Sequence, residues 1–470
     1  MSAPHAPESS VTPCLSANLQ DTLTQQQTAL IRSLVVTIQH FFGGFARLFA
    51  PVSDPRHPAF ITYPLPCILT TGTLLFLLRL GARRQVQLLL RQNGPSAAKF
   101  QALFDVNDCP HGDTLDATFR RLQPSEVQEV VSGTVETLIR KKVLYPYRLL
   151  NGYFLVVIDG TGMLTFSERH CSHCLTMTHH GHTIYYHPVL EAKLVTRDGL
   201  VLSLMTEFIE NPDEYPTKQD CELKAFYRLA ARLKQRFPRL LFCLLLDSLF
   251  AGGPTFARCE QYHWKYIITL QEEDLPYVQE QFHALLPAFP ENHLVYRTGV
   301  QRQITQDLRW VNDIEYVDAQ GNVHTVSVLQ CLETKPNPHR QLSTTRFKWI
   351  TNLNLKAACI VEIANEGGRL RWKIENEGFN VQKNGGYALE HAYSRDPVAA
   401  KVFYLLLQLA HTLAQLIERG SLFRKAFPTG VGSARNLALR LLEAWRNLHI
   451  EAQLLWQMLN TRVRVCLKPP

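Results

Sequence analysis

Hydrophobic and polar positions change period several times along this chain, and each change marks a predicted element. Leu19–Phe49 places Leu23, Leu30, Leu34, Val35 and Ile38 near one face, the spacing of an amphipathic helix. Leu74–Leu90 reads as a second helix, closed by Asn93-Gly94-Pro95. Helical spacing returns around Phe100 and Phe104, after Gly112-Asp113-Thr114, and over Glu126–Arg140, where Ser125 and Gln128 have the spacing of a capping box. From Tyr153 the texture becomes that of strands. Phe154–Ile158 and Leu240–Leu246 are unbroken apolar runs, as in strands covered on both faces. His182–Arg197 and Leu200–Glu210 read as a hairpin turning at Asp198-Gly199. A helix over Thr217–Phe237, a short helix through Cys259 and a strand at Tyr266–Leu270 follow. Arg302–Trp310, Asp313–Val317 and Val323–Leu332 alternate at period two. Phe347–Asn352 is a strand and Arg369–Lys383 a helix. Asp396-Pro397 opens a leucine-rich helix to Ile417, with Asp as cap and Pro at the first turn.

This order predicts an α/β fold with a mixed sheet flanked by helices. The sheet core spans 151–271 and 347–418, interrupted by a β-rich insertion at 272–346. A helical domain at 16–150 precedes it, and a helical, basic region at 419–470 follows. Residues 1–15 are polar and Pro-rich, the composition of a disordered tail.

Two of the apolar runs end in a carboxylate. Asp159 follows Ile158 and is succeeded by Gly160 and Gly162, which break the strand; Asp247 follows Leu246. A carboxylate at the tip of a buried strand is costly unless paired or bound to a cation. The plain alternative is an Asp capping the next turn. Glu375 lies on the Arg369–Lys383 helix. The three are 88 and 128 residues apart, so only a fold can bring them together. Three such carboxylates suit two divalent cations for an in-line phosphoryl displacement.

Ile158-Asp159-Gly160, Leu246-Asp247-Ser248 and Arg371-Trp372-Lys373-Ile374-Glu375 together resemble DDE-type transposases of bacterial insertion sequences. The branch in question carries a β-strand insertion in a ribonuclease-H-like core. Its signature is Tyr, two residues, Arg, three residues, Glu, six residues, Lys. Arg371 and Glu375 match; the Tyr position holds Gly368, and the Lys position holds Gln382 with Lys383 one place later. The resemblance runs from Gly152 to Ile417. It implies Asp159, Asp247 and Glu375 as catalytic ligands of Mg²⁺ or Mn²⁺, and Arg371 and Lys383 as DNA contacts. It also implies double-stranded DNA as partner, at element ends and target, and a dimer or larger assembly on DNA in the bacterial cytoplasm and nucleoid. Trp372 reads as core packing, with stacking on a flipped terminal base as the alternative. A metal-dependent nuclease without strand joining and a catalytically decayed DNA-binding copy are the alternatives.

Charge and cysteine content refine this picture. A net charge of +8 fits a polyanion partner without requiring one. Arg79, Arg83, Arg84, Arg120, Arg121 and Arg140-Lys141-Lys142 are candidate phosphate contacts or solvated helix faces. The 11 cysteines show no disulfide-like spacing, as expected of a reducing compartment. Cys171, Cys174, His179 and His182 have the C-x2-C then H-x2-H order of a small structural Zn²⁺ site; the alternative is a loop of buried thiols and exposed histidines. Pro58–Leu78 carries no formal charge, but Pro64 and Pro66 interrupt it, which predicts a buried core helix rather than a membrane span.

Overall fold

A computed structural model describes residues 17–91, 93–179, 181–214, 216–339, 341–460 and 462–467. The expected tail at 1–15 lies outside the described residues. Seven helices come first: α1 (Ala17–Phe42), α2 (Phe45–Leu48), α3 (Leu65–Leu77), α4 (Arg83–Leu89), α5 (Pro95–Phe104), α6 (Gly112–Phe119) and α7 (Pro124–Arg140). The chain then builds β1 (Phe154–Phe166), β2 (Leu175–His179), β3 (His182–Val195), β4 (Val201–Phe208), α8 (Glu222–Arg236), β5 (Phe242–Leu246), α9 (Gly253–Tyr262) and β6 (Lys265–Thr269). The insertion supplies α10 (Pro276–Leu285), β7 (His293–Thr298), β8 (Ile304–Val317) and β9 (Val323–Pro336), and β10 (Leu342–Thr351) brings the chain back. A helical stretch follows, from α11 (Ile360–Glu362) to α12 (Asn380–Asn384). The chain closes with α13 (Pro397–Arg419), α14 (Ser421–Ala426), α15 (Ala434–Asn447) and α16 (Ala452–Asn460).

All ten strands form one mixed sheet, ordered β2-β3-β1-β5-β6-β10-β9-β8-β7, with β4 also paired to β3. β1, β5 and β6 are parallel, and the other pairings are antiparallel. The β-rich insertion is therefore continuous with the sheet, because β10 pairs with both β6 and β9.

The apolar runs are unbroken because the sheet is covered on both faces. Phe154, Val156 and Ile158, with Phe242, Leu244 and Leu246, join a core shared with α1, α3, α7, α8 and α13. Leu155 and Val157, with Cys243 and Leu245, join a second core with Ile360, Ile363, Leu370, Ile374 and Phe379. The pleat sends alternate residues to opposite faces. The first core runs from Leu30 to Val465, so the N-terminal helices, the sheet and the C-terminal helices share one interior. Asp396 caps α13 as expected, its Oδ1 accepting from the N–H groups of Val398 and Ala399. Among the described residues α13 is the one helix long and apolar enough to cross a membrane, and its apolar stretch is buried within the protein. Burying each of its leucines contributes about 1.5–3 kcal/mol. Most of the Pro58–Leu78 window is α3, a buried helix as expected.

Several local expectations are corrected. The second helix is two helices, because Arg79 and Gly81 adopt positive φ between α3 and α4. No capping box forms on α7: the helix starts at Pro124, and Gln128 instead bonds Ser132 and Thr206, tying α7 to β4. β1 does not stop at Asp159 but runs on to Phe166, because β3 still pairs with it; its register slips between Gly162 and Leu164. β2 was not foreseen.

Candidate acidic site and a cysteine–histidine cluster

Strand parity aims both aspartates. Asp159 continues the parity of Leu155 and Val157, and Asp247 that of Cys243 and Leu245. Both therefore belong to the face covered by the helical stretch 360–384. β1 pairs with β5 only as far as Val157 and Leu245, so the two carboxylates stand where these parallel strands part. Asp247 also serves as the cap of the sequence-level alternative, Oδ1 accepting from Leu249 N–H at 3.0 Å. The two roles use one side chain.

The opposing helix is irregular. α11 passes into a π-turn at Ile363–Gly367, a 3₁₀ segment at Gly368–Trp372, a second π-turn at Ile374–Phe379, and then α12. Such π-turns are frequent at functional sites. Arg371 is 6% exposed. Its Nη1 lies 3.0 Å from Glu375 Oε1 and 3.7 Å from Asp159 Oδ2. Burial pushes the Asp159 carboxyl up to about 7; Arg371 opposes this, while Asp247 and Glu375 add to it. Burial also raises Asp247, again opposed by Arg371 and assisted by Glu375. The three sequence-predicted carboxylates thus meet close enough to feel one another's charge.

A fourth carboxylate, missed in the sequence, lies close enough to Asp247 to feel its charge. Glu222 at the first turn of α8 is raised by burial and by Asp247. Its carboxyl occupies the space over Gly160 that a side chain there would need. The only sequence signal was an acidic residue opening a helix.

The departures from the transposase signature have local explanations. At Gly368 an added Cβ would lie 2.6 Å from the Trp349 indole, so that ring fills the ground where the signature has Tyr. Gln382 is wholly buried and donates to Gln408 at 2.7 Å, its Nε2 also lying 3.0 Å from His411 Nδ1. Lys383 is partly exposed and pairs with Glu390 at 2.8 Å. Eight residues beyond Glu375 would place it about 80° round a regular helix. The π-turn at Ile374–Phe379 interrupts that regular phase between the two residues. Trp372 is not core: it is 49% exposed, with the Arg371 guanidinium 4.2 Å from its ring centroid. Arg79 is half-buried, its guanidinium over the Tyr387 ring at 2.9 Å.

Beyond β1 lies a separate cluster. His170, Cys171, Cys174 and His187 bring four ligand atoms within 4.8 Å of one another and could hold a metal ion. Both predicted cysteines belong to it. His182 does not: it is exposed where β2 turns into β3, and the hairpin pairs it with His179 instead of folding it back. The His179 side chain lies outside the described residues. His170 directly precedes Cys171, and His187 is opposite Leu164 in the β1–β3 ladder. Only the strand pairing reveals the latter. No family model matches this chain, and no curated protein matches it.

Proposed function

We propose that this protein is a DDE-type DNA transposase on a ribonuclease-H-like core. It would bind the terminal inverted repeats of an insertion sequence and carry out Mg²⁺-dependent cleavage and strand transfer. The observation that carries the reading is that Arg371 pairs with both Asp159 and Glu375 while Asp159 and Asp247 stand side by side where β1 and β5 part. The sheet order supports it: leaving aside the extra strand β2, the core reads third, second, first, fourth and fifth strand, with the last two parallel to the first.

The donor set fits a hard divalent cation. All the ligands are carboxylate oxygens, and their mutual repulsion with partial burial is what such an ion would relieve. Asp159, Asp247 and Glu375 would hold Mg²⁺ or Mn²⁺, which when bound supplies charge neutralisation at the scissile phosphate. Arg371 keeps Asp159 and Glu375 oriented by its two ion pairs. Exposed Trp372 offers a face for an unstacked terminal base, and Lys383 a cation for the backbone. Exposed Arg84, Arg121, Arg140 and Lys142 on the N-terminal helices suit phosphate contacts further along the duplex. Synapsis of two element ends calls for at least a dimer on DNA, in the bacterial cytoplasm.

The test is cleavage and joining of a labelled duplex bearing the native element end, in Mg²⁺, with wild type and Glu375→Gln. Joined products from wild type alone are expected. Cleavage without joining would make the protein a nuclease of the same chemistry. Equal activity in both proteins would remove Glu375 from the site.

A further inference from the structure

We infer that His170, Cys171, Cys174 and His187 form a structural Zn²⁺ site that pins the end of β1 to β3 and to the segment leading into α8. This does not depend on the transposase reading.

Four of the six ligand-atom separations approach those of a tetrahedral site. The Cys171 and Cys174 Sγ atoms are 3.3 Å apart. His187 Nε2 is 3.4 Å from each sulfur, and His170 Nδ1 is 3.4 Å from the Cys174 sulfur. Zinc with Zn–S of about 2.3 Å and Zn–N of about 2.0–2.1 Å separates sulfurs by about 3.8 Å and sulfur from nitrogen by about 3.6 Å. These four separations need widen by only about 0.2–0.5 Å to take the ion, and the other two lie within 4.8 Å. Two sulfurs and two imidazoles select zinc over the hard cations suited to the acidic site. Binding releases the two thiol protons to solvent and leaves thiolate ligands.

The surroundings hold the ligands in place. The His170 ring lies 3.9 Å from that of Phe166, the last residue of β1. Asn211 donates its Nδ2–H to the Cys174 carbonyl at 2.8 Å and its backbone N–H to the His173 carbonyl at 3.1 Å. The Asn211 side-chain oxygen accepts from Asp220 N–H at 3.1 Å. Two residues on, Glu222 comes within reach of the Asp247 charge. Gln219 closes the same path by accepting from Thr176 N–H at 2.6 Å and donating to its carbonyl at 3.0 Å. The ligand loop is otherwise poor in apolar side chains, so an ion supplies the cross-link that packing does not.

Metal analysis of the full-length protein, purified with Zn²⁺ supplied, tests this directly. About one zinc per chain is expected for wild type and for His182→Ala, and less than about a tenth of that for the Cys171→Ser/Cys174→Ser double variant. If that variant does not fold, wild type loaded with Co²⁺ decides: a tetrahedral spectrum with thiolate-to-cobalt charge transfer supports the site. A cobalt spectrum without sulfur character, or wild type that retains no zinc, would overturn the proposal. So would His187→Ala retaining zinc while His182→Ala loses it. Chelation of the zinc should speed amide hydrogen exchange at 167–187 and 211–221 and leave 304–336 unchanged; no change in the first two segments would refute the pinning role.

Discussion

Glu222 occupies the space beside Gly160 where any other residue would carry its Cβ: its carboxyl carbon is 2.6 Å from that position. The backbone at Gly160 is ordinary extended strand, so the glycine is there for room. Gly160→Ala must push Glu222 aside, next to Asp159 and within the charge field of Asp247. On the proposed function, DNA cleavage should fall at least about tenfold, about 1.4 kcal/mol of barrier. Glu222→Gln keeps the shape and removes the charge. Its expected signature is a higher Mg²⁺ requirement at similar thermal stability, read from cleavage rates across a Mg²⁺ titration. An unchanged titration would reduce Glu222 to packing.

Arg371 is the counter-charge of the acidic site, held 3.0 Å from Glu375 and 3.7 Å from Asp159. Removing a buried counter-charge leaves its partners uncompensated, at a cost below the about 3–5 kcal/mol of a fully buried pair because the Glu375 side chain is 39% exposed. Arg371→Ala should therefore lower the Tm of the metal-free protein. Added Mg²⁺ should raise the Tm of the variant more than that of wild type, because the ion takes over the missing charge. Thermal unfolding with and without Mg²⁺ checks both points. A Tm equal to that of wild type without Mg²⁺ would show that Arg371 compensates nothing.

His411 gives the fold an acid-sensitive point. It is fully buried on α13, its Nδ1 3.0 Å from Gln382 Nε2 and its ring against Tyr387. Burial holds it well below the usual histidine range, and the charges of Lys193 and Arg79 act the same way. The folded state therefore keeps a neutral imidazole, while the unfolded chain takes up a proton below pH about 6.5. Stability from this group is full above that pH and is lost as pH falls below it, by up to about 1.4 kcal/mol per unit. His411→Gln should flatten the stability profile between pH about 6.5 and 5, measured by denaturant unfolding. An unchanged slope would place the acid sensitivity elsewhere.

The elements that depend on near neighbours were legible in the sequence. The runs at 154–158 and 240–246 announced strands buried on both faces, and α13 was announced by its cap and its leucines. The β3–β4 hairpin was announced by Asp198-Gly199. Pairing decided the rest. β1 continues through two glycines because β3 supports it, and Gln128 leaves the α7 terminus because β4 offers it better partners.

The same division holds for the sites. By itself the sequence determined which carboxylates, cysteines and histidines are present, and that Asp159 and Asp247 terminate apolar runs. Those are properties of residue type and of a period-two pattern. Tertiary structure alone decided that Asp159, Asp247 and Glu375 come together, that Arg371 pairs with two of them, that Glu222 comes within reach of Asp247, and that His187 rather than His182 faces the two cysteines. Strand order, pleat parity and ladder register set those distances, and each depends on residues far apart along the chain.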